Sequence, residues 1–244
     1  MTKTTIDWCD YTWNPVWGCL NDCPYCYARG ISKRFWKQIW NIEEKYRESN
    51  NMFFSHETPK DLFEFKPFFL ESAFEKHMPK KPSIIFVNSM SDPVFWMPEW
   101  IERVNNRIAD HPEHKFIVLT KYGKAVDEWP LHFCNLKIGM TFDDTIGELF
   151  NCEYLEFFEI VNFEPLLRDF SDEELDYILS GKELCIIGAE TGNRKGKVEP
   201  KAHWVIAILD ACERHNVPVF MKESMFEFCL KWNMSFLRNN PYRL

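Results

Sequence analysis

Eight short β-like runs, several of them apolar along nearly their whole length, recur through the chain with polar or helical stretches between them. They are YTWNPVW (11–17), LFEFKPFFL (62–70), SIIFVNS (83–89), KFIVLT (115–120), LKIGMT (136–141), YLEFFEIVNF (154–163), ELCIIGA (183–189) and VPVFMKE (217–223). Runs apolar at almost every position, rather than every second one, fit parallel strands buried on both faces. Between them lie the helix candidates PEWIERVNNRIADH (98–111), with Ile101, Val104 and Ile108 on one stripe, and HWVIAILDACERHN (203–216). Asp143-Asp144-Thr145 and Ser171–Glu174 are helix-start signals. The alternation predicts an α/β fold, a partial or complete (β/α) barrel of TIM type. A chain of 244 residues suits one large domain, and no repeat, low-complexity tract or Gly/Ser linker marks a boundary within 1–244. Residues 36–60 read either as a flap or as a long helix with an exposed end.

Charge and composition narrow the function. A net charge of −8 argues against gripping long nucleic acid mainly through phosphates, though not against a local basic groove. With 22 Phe, 10 Trp and 8 Tyr, the chain needs a large interior or a pocket lined with rings. No run of about 18 apolar residues is present, so no membrane span is expected. The N-terminal MTKTTIDWCDYTWN lacks a signal-peptide core, which places the expected location in the cytoplasm. Nine cysteines, an odd number, agree with reduced thiols better than with a disulfide framework.

Polar residues gather where the predicted strands end: Asn88, Ser89, Ser91 and Asp92, then Thr120 and Lys121, Thr141, Glu164, Glu190, Lys222 and Glu223. In a (β/α) barrel that is the face that carries chemistry. Glu164 precedes Pro165, which favours extended backbone there. Glu190 lies in Gly188-Ala189-Glu190-Thr191-Gly192, where small residues let backbone approach a ligand closely. Either Glu could instead form an ion pair with Lys222. Arg194, Lys195, Lys197 and Lys201 form the densest basic patch, read as a solvated loop or as a phosphate-binding rim.

GCLNDCPYCYARG (18–30) sets Cys19, Cys23 and Cys26 in a C-x3-C-x2-C spacing. Three thiolates so spaced can hold three irons of a 4Fe–4S cluster and leave the fourth iron open. They can also supply part of a zinc site, which needs a fourth ligand; His56 and Cys9 are candidates with no spacing to recommend them. Three buried core cysteines are the remaining reading.

The motif C-x3-C-x-Tyr-C, after a first strand and before a helix, resembles the signature of radical S-adenosylmethionine enzymes. The loop from Gly18 to Arg29 is similar to the cluster loop of spore photoproduct lyase. Asn88–Pro93 with Pro98-Glu99, Leu119–Lys121 and Gly139–Thr141 resemble that enzyme's later segments. A phage-associated, three-Cys-motif family of uncharacterised radical enzymes resembles the chain more closely still. Thr12–Pro15, Ser89–Asp92, Leu119–Lys121, Glu164–Leu167, Gly188–Gly192 and Met221–Glu223 match its landmarks over roughly residues 6 to 224. Two departures stand out. The gap between the first two cysteines is the plain radical-enzyme gap, and Ser-Met-Ser-Asp replaces the usual Gly-Gly-Glu.

The resemblance implies a 4Fe–4S cluster on Cys19, Cys23 and Cys26, with S-adenosylmethionine chelated to the open iron. It implies that Ser91 and Asp92 bind the methionine amino group, Lys121 its carboxylate, and Thr141 that carboxylate or a ribose hydroxyl. Tyr25 would flank the adenine, and Glu164 and Glu190 would contact cofactor or substrate. It further implies an electron donor of flavodoxin or ferredoxin type. Kinship with the photoproduct lyase favours a nucleobase, in nucleic acid or nucleotide, with Lys195, Lys197 and Lys222 as substrate contacts. A peptide or small metabolite is the alternative substrate. The rival of another class is a non-enzymatic, metal-stabilised binding protein serving a phage or host complex.

Overall fold

The computed structural model describes residues 1–54, 57–129, 134–143 and 152–243. The expected helix start at Asp144-Thr145 lies outside them, as does His56. The chain divides into two compact units. The first comprises Met1–Thr5, Cys9–Val118 and Asp127–Leu136, and the second comprises Ile6–Trp8, Leu119–Val126 and Lys137–Leu244. Both are mixed α/β, and their longer strands are parallel.

The first unit contains β1 (Thr2–Lys3), β2 (Tyr11–Thr12), β3 (Val16–Trp17), α1 (Tyr27–Ser49), α2 (Pro59–Glu64), β4 (Phe68–Phe69), α3 (Glu71–Phe74), β5 (Ile84–Phe86) and α4 (Pro98–Ala109). β6 (Lys115–Thr120) begins in it. β2 pairs in parallel with β5, and β5 with β6, while β1 and β2 are antiparallel. Trp13, fully buried, donates its indole N–H to the Ala73 carbonyl at 3.1 Å and its backbone N–H to Phe86. Trp-Asn-Pro is therefore an anchor that carries the chain from β2 into the small antiparallel pair β3–β4.

The second unit contains β7 (Leu136–Thr141, from Lys137), β8 (Ile160–Phe163), α5 (Asp172–Leu179), β9 (Leu184–Ile187), α6 (Ala202–Arg214), β10 (Val219–Met221) and α7 (Phe226–Trp232). β7, β8, β9 and β10 are parallel in that order. Every residue of β8 and β9 is buried, as two covered faces require. Ser171 and Glu174 close a reciprocal cap on α5, the device their spacing predicts. Among the described residues no helix is long and apolar enough to cross a membrane, and no disulfide joins the described cysteines.

Of the eight runs only 115–120 and 136–141 are strand from end to end; 11–17 divides into β2 and β3, and two of the others give their first residues to helical turns. In LFEFKPFFL, residues 62–64 belong to α2, because Pro59 sits in its first turn and the Asp61 carboxylate accepts the N–H and hydroxyl of Thr58. Phe65 then ends the helix in left-handed backbone at φ 60°. Residues 152–157 form a 3₁₀ turn, so the strand in the 154–163 run begins only at Ile160.

Of the two readings of 36–60, residues 36–49 are the second half of α1. A buried ion pair fastens that half. Glu43, 0% exposed, accepts from Arg47 at 2.7 Å and from the N–H groups of Glu71 and Ser72 at 2.9 Å each. Arg47 in turn donates to the carbonyls of Phe53 and Phe69. Trp40 stacks on Phe54 with ring centroids 4.4 Å apart.

Removing one partner of a buried pair leaves the other charge uncompensated, at a cost of about 3–5 kcal/mol. Glu43→Ala should lose roughly that much stability in urea unfolding, whereas Glu48→Ala, exposed on the same helix, should change it by less than about 0.5 kcal/mol.

Candidate functional site

The three-cysteine loop belongs to the first unit and is seated by its glycine. Gly18 adopts φ +100°, and a Cβ there would lie 1.9 Å from the Lys66 carbonyl oxygen. Only glycine allows that approach. The Gly18 N–H donates to Met90 at 3.1 Å and the Cys19 N–H to Phe65 at 2.9 Å. Beneath the loop lie Ala28, Phe65 and Met90, with Trp17, Cys19 and Cys26 packed on them.

All three thiols are half-buried. The Cys19 sulfur accepts the Asn21 N–H at 3.4 Å. Cys26 is the N-cap of α1, its sulfur accepting the Arg29 N–H at 3.4 Å while its own N–H donates to Cys23 at 3.1 Å. Burial pushes the Cys19 thiol up to about 12, and the Asp92 carboxylate, Cys23 and Cys26 add to the rise. Arg29 closes the loop from the helix side, donating to the Asn21 carbonyl at 2.7 Å and lying over the Phe65 ring.

The Ser-Met-Ser-Asp segment is tied directly to this loop. Gly18 and Ser91 form a parallel bridge, and Asn21 donates its side-chain amide to Asp92 at 3.3 Å. Asp92 is buried and also caps the turn Pro93–Phe95 through the Val94 N–H. The Ser91 hydroxyl accepts the Trp96 indole N–H at 3.1 Å. Tyr27 donates its hydroxyl to the Ser89 carbonyl, and Ser89 donates to Asn14. Tyr25 is half-buried in the same loop. Thus the loop that carries the three cysteines and Tyr25 is brought against Ser91 and Asp92. Cys9, a candidate fourth ligand, is instead a core residue, 4% exposed. Among the described residues no group of three or more His, Cys, Asp or Glu is arranged to hold a metal ion.

The remaining predicted residues lie in the second unit. Register sets Thr141 beside Asn162 and Asn162 beside Ile186. In-register neighbours share a face, and Asn162 donates its amide to the Thr141 hydroxyl at 3.0 Å. Lys121 pairs with buried Asp143, and Lys222 with Glu164. Gly188 makes room for the latter pair, since a Cβ there would lie 3.0 Å from Glu164 Cγ and 3.2 Å from Lys222 Cδ. Glu190, buried, accepts two bonds from Arg194 at 2.7 and 2.8 Å and one from the Val198 N–H. Arg194 holds its carboxyl below the ordinary glutamate value, against burial that pushes it up.

Of the basic patch, Arg194 is thus turned inward and Lys201 lies over the Trp204 ring, while Lys195 and Lys197 are exposed. Reading the sequence missed Asn21, Arg29, Asp143, Asn162 and the partnership of Arg194. Asn162 had a visible signal, being the one polar residue within a fully buried strand. The others are set by tertiary approach.

These features define a mostly parallel α/β protein with a three-cysteine loop opening its longest helix. The chain belongs to the family described as "Protein of unknown function (DUF5131)", whose model matches residues 3–227. No curated protein and no solved structure matches it.

Gly18→Ala should lower stability by about 3 kcal/mol or more, combining left-handed strain with a backbone clash. Gly30→Ala, whose Cβ would meet nothing within 4 Å inside α1, should raise it by about 1 kcal/mol. Thermal melts of the two variants test this contrast. Arg194→Met should cost about 1–3 kcal/mol at pH 7. Because Glu190 has a lowered pKa in the fold, its contribution is present above the ordinary value of 4.5 and is lost as pH falls through the lowered one. The difference between wild type and Arg194→Met in urea melts should therefore shrink with acidification below about pH 4.5.

Proposed function

We propose that the chain is a radical S-adenosylmethionine enzyme of partial (β/α) barrel type, working in the cytoplasm on a nucleobase in nucleic acid or nucleotide. The carrying observation is the cysteine loop. Three thiols in a C-x3-C-x2-C spacing are half-buried in one loop, and two of their sulfurs accept backbone N–H bonds. Soft thiolates with N–H···S bonds suit an iron–sulfur cluster. A closed zinc site would need a fourth ligand, and Cys9 lies in the core.

Cys19, Cys23 and Cys26 would hold the 4Fe–4S cluster. When bound and reduced, that group supplies the electron that cleaves S-adenosylmethionine and so yields the hydrogen-abstracting 5′-deoxyadenosyl radical. The chain's own part is binding and orientation. Asp92 and Ser91, tied to the loop through Asn21 and Gly18, are assigned to the methionine amino group. Tyr25 is assigned to the adenine. The resemblance assigns Lys121, held by Asp143, to the carboxylate, and Thr141, held by Asn162, to carboxylate or ribose. Glu164 and Glu190 contact cofactor or substrate only by exchanging Lys222 and Arg194 for it. Exposed Lys195 and Lys197, with Lys222, are assigned to substrate phosphate. With a net charge of −8, that capture is local rather than long-range. A flavodoxin- or ferredoxin-type protein supplies the electron.

Protein purified without oxygen should be brown, with iron and sulfide for one 4Fe–4S cluster. Alanine at any of the three cysteines should bleach it while leaving its circular dichroism intact. With dithionite it should convert S-adenosylmethionine to 5′-deoxyadenosine and methionine. Zinc in place of iron, or no cofactor binding by reduced, loaded protein, would establish a metal-stabilised binding module instead. DNA, RNA or nucleotides should raise 5′-deoxyadenosine yield, and Lys195→Glu with Lys197→Glu should abolish that rise. Stimulation by peptides alone would move the substrate to that class.

A further inference from the structure

The outer face of the first half of α1 combines exposed apolar side chains with one sign of charge. Tyr27, Ile31 and Phe35, spaced four residues apart and so on one stripe, are 56%, 37% and 42% exposed. Lys33, Arg34 and Lys37 flank them, all exposed. From residue 27 to residue 42 there are four basic residues and no acidic one. In a chain whose net charge is −8 this is a local reversal of sign. The buried residues of the helix, Ala28, Ser32, Glu43 and Arg47, lie on the adjoining side. A mixed apolar and basic patch this exposed marks a contact surface.

Position identifies the occupant. α1 is capped by Cys26, one of the three cysteines, so the stripe starts at the residue that follows the cradle. If the cradle holds a cluster that must be reduced, the electron comes from outside the chain, and transfer slows steeply with distance. We infer that this face of α1 is the docking surface for an acidic one-electron carrier protein. The inference rests on the function proposed above. Lys33, Arg34 and Lys37 steer and orient the acidic partner, and Tyr27, Ile31 and Phe35 supply the apolar contact that holds it.

The test uses the full chain with its cluster loaded and a flavodoxin as probe. Three measurements are made on wild type, on Lys33→Glu/Arg34→Glu/Lys37→Glu, and on the control Lys80→Glu/Lys81→Glu, which alters two exposed lysines elsewhere in the same unit. Flavodoxin binding, read by fluorescence anisotropy of labelled flavodoxin, should weaken at least tenfold in the α1 variant and stay within twofold in the control. It should also fall as salt rises. Cleavage of S-adenosylmethionine driven by reduced flavodoxin should fall in step, while cleavage driven by dithionite, which needs no docking, should be unchanged. Phe35→Ser should weaken binding without altering its salt dependence. Equal binding by wild type and α1 variant, or no binding by wild type, overturns the docking surface whatever the cleavage assays show. Wild type that self-associates through α1, seen as a dimer lost in the variant, overturns it in favour of a second copy. Failure of wild type to cleave with dithionite overturns the proposed function, and anisotropy still decides whether the face takes an acidic carrier.

Discussion

The contact on which the first unit's cysteine loop depends is the approach of Gly18 to the backbone of Lys66 and Pro67. It brings three segments distant in sequence onto one spot. The cysteine loop meets the turn after α2 through Cys19 and Phe65, and it meets the end of β5 through Gly18, Met90 and Ser91. With those backbones fixed, Asn21 reaches Asp92, Arg29 reaches Asn21, and Cys26 caps α1. The thiols are thus held by main-chain hydrogen bonds to other elements rather than by local loop geometry alone.

In the second unit the governing feature is charge matching. Lys121 faces Asp143, Lys222 faces Glu164 and Arg194 faces Glu190, so the polar strand ends form neutral pairs. Half-buried ion pairs of this kind add little net stability, because desolvation offsets most of the attraction. Their effect is positional. Each cation is already oriented and stripped of part of its water, so exchanging its carboxylate for a ligand's costs less reorganisation than recruiting a free side chain. Gly188 is the permissive element, since a Cβ there would press on both Glu164 and Lys222.

Much of this was legible in the residues. The apolar runs at 115–120, 136–141 and 183–189 became β6, β7 and β9, because continuous apolar runs too short for a helix suit strands buried on both faces. The cap of α5 and the start of the helix after Cys26 were likewise written locally. What was not legible was long-range. Nothing in LFEFKPFFL itself shows that Thr58 and Asp61 will draw residues 62–64 into a helix. That Glu190 would take Arg194, four residues on, rather than Lys222 depended on where the 191–198 loop turned. The link between Asn21 and Asp92, 71 residues apart, is a property of the packed chain and of no motif. The division into two compact units left no mark in composition, because no flexible linker separates them.

The 23 residues of α1 are secured at both ends, by the Cys26 cap at one and by Glu43 and Arg47 near the other. At 1.5 Å per residue the helix is roughly 35 Å long. Ordering a backbone costs about 1–2 kcal/mol per residue in lost conformational freedom. That loss was met when the chain folded. A molecule arriving at the outer side of α1 meets a rail already rigid, and keeps nearly all of whatever contact energy it gains.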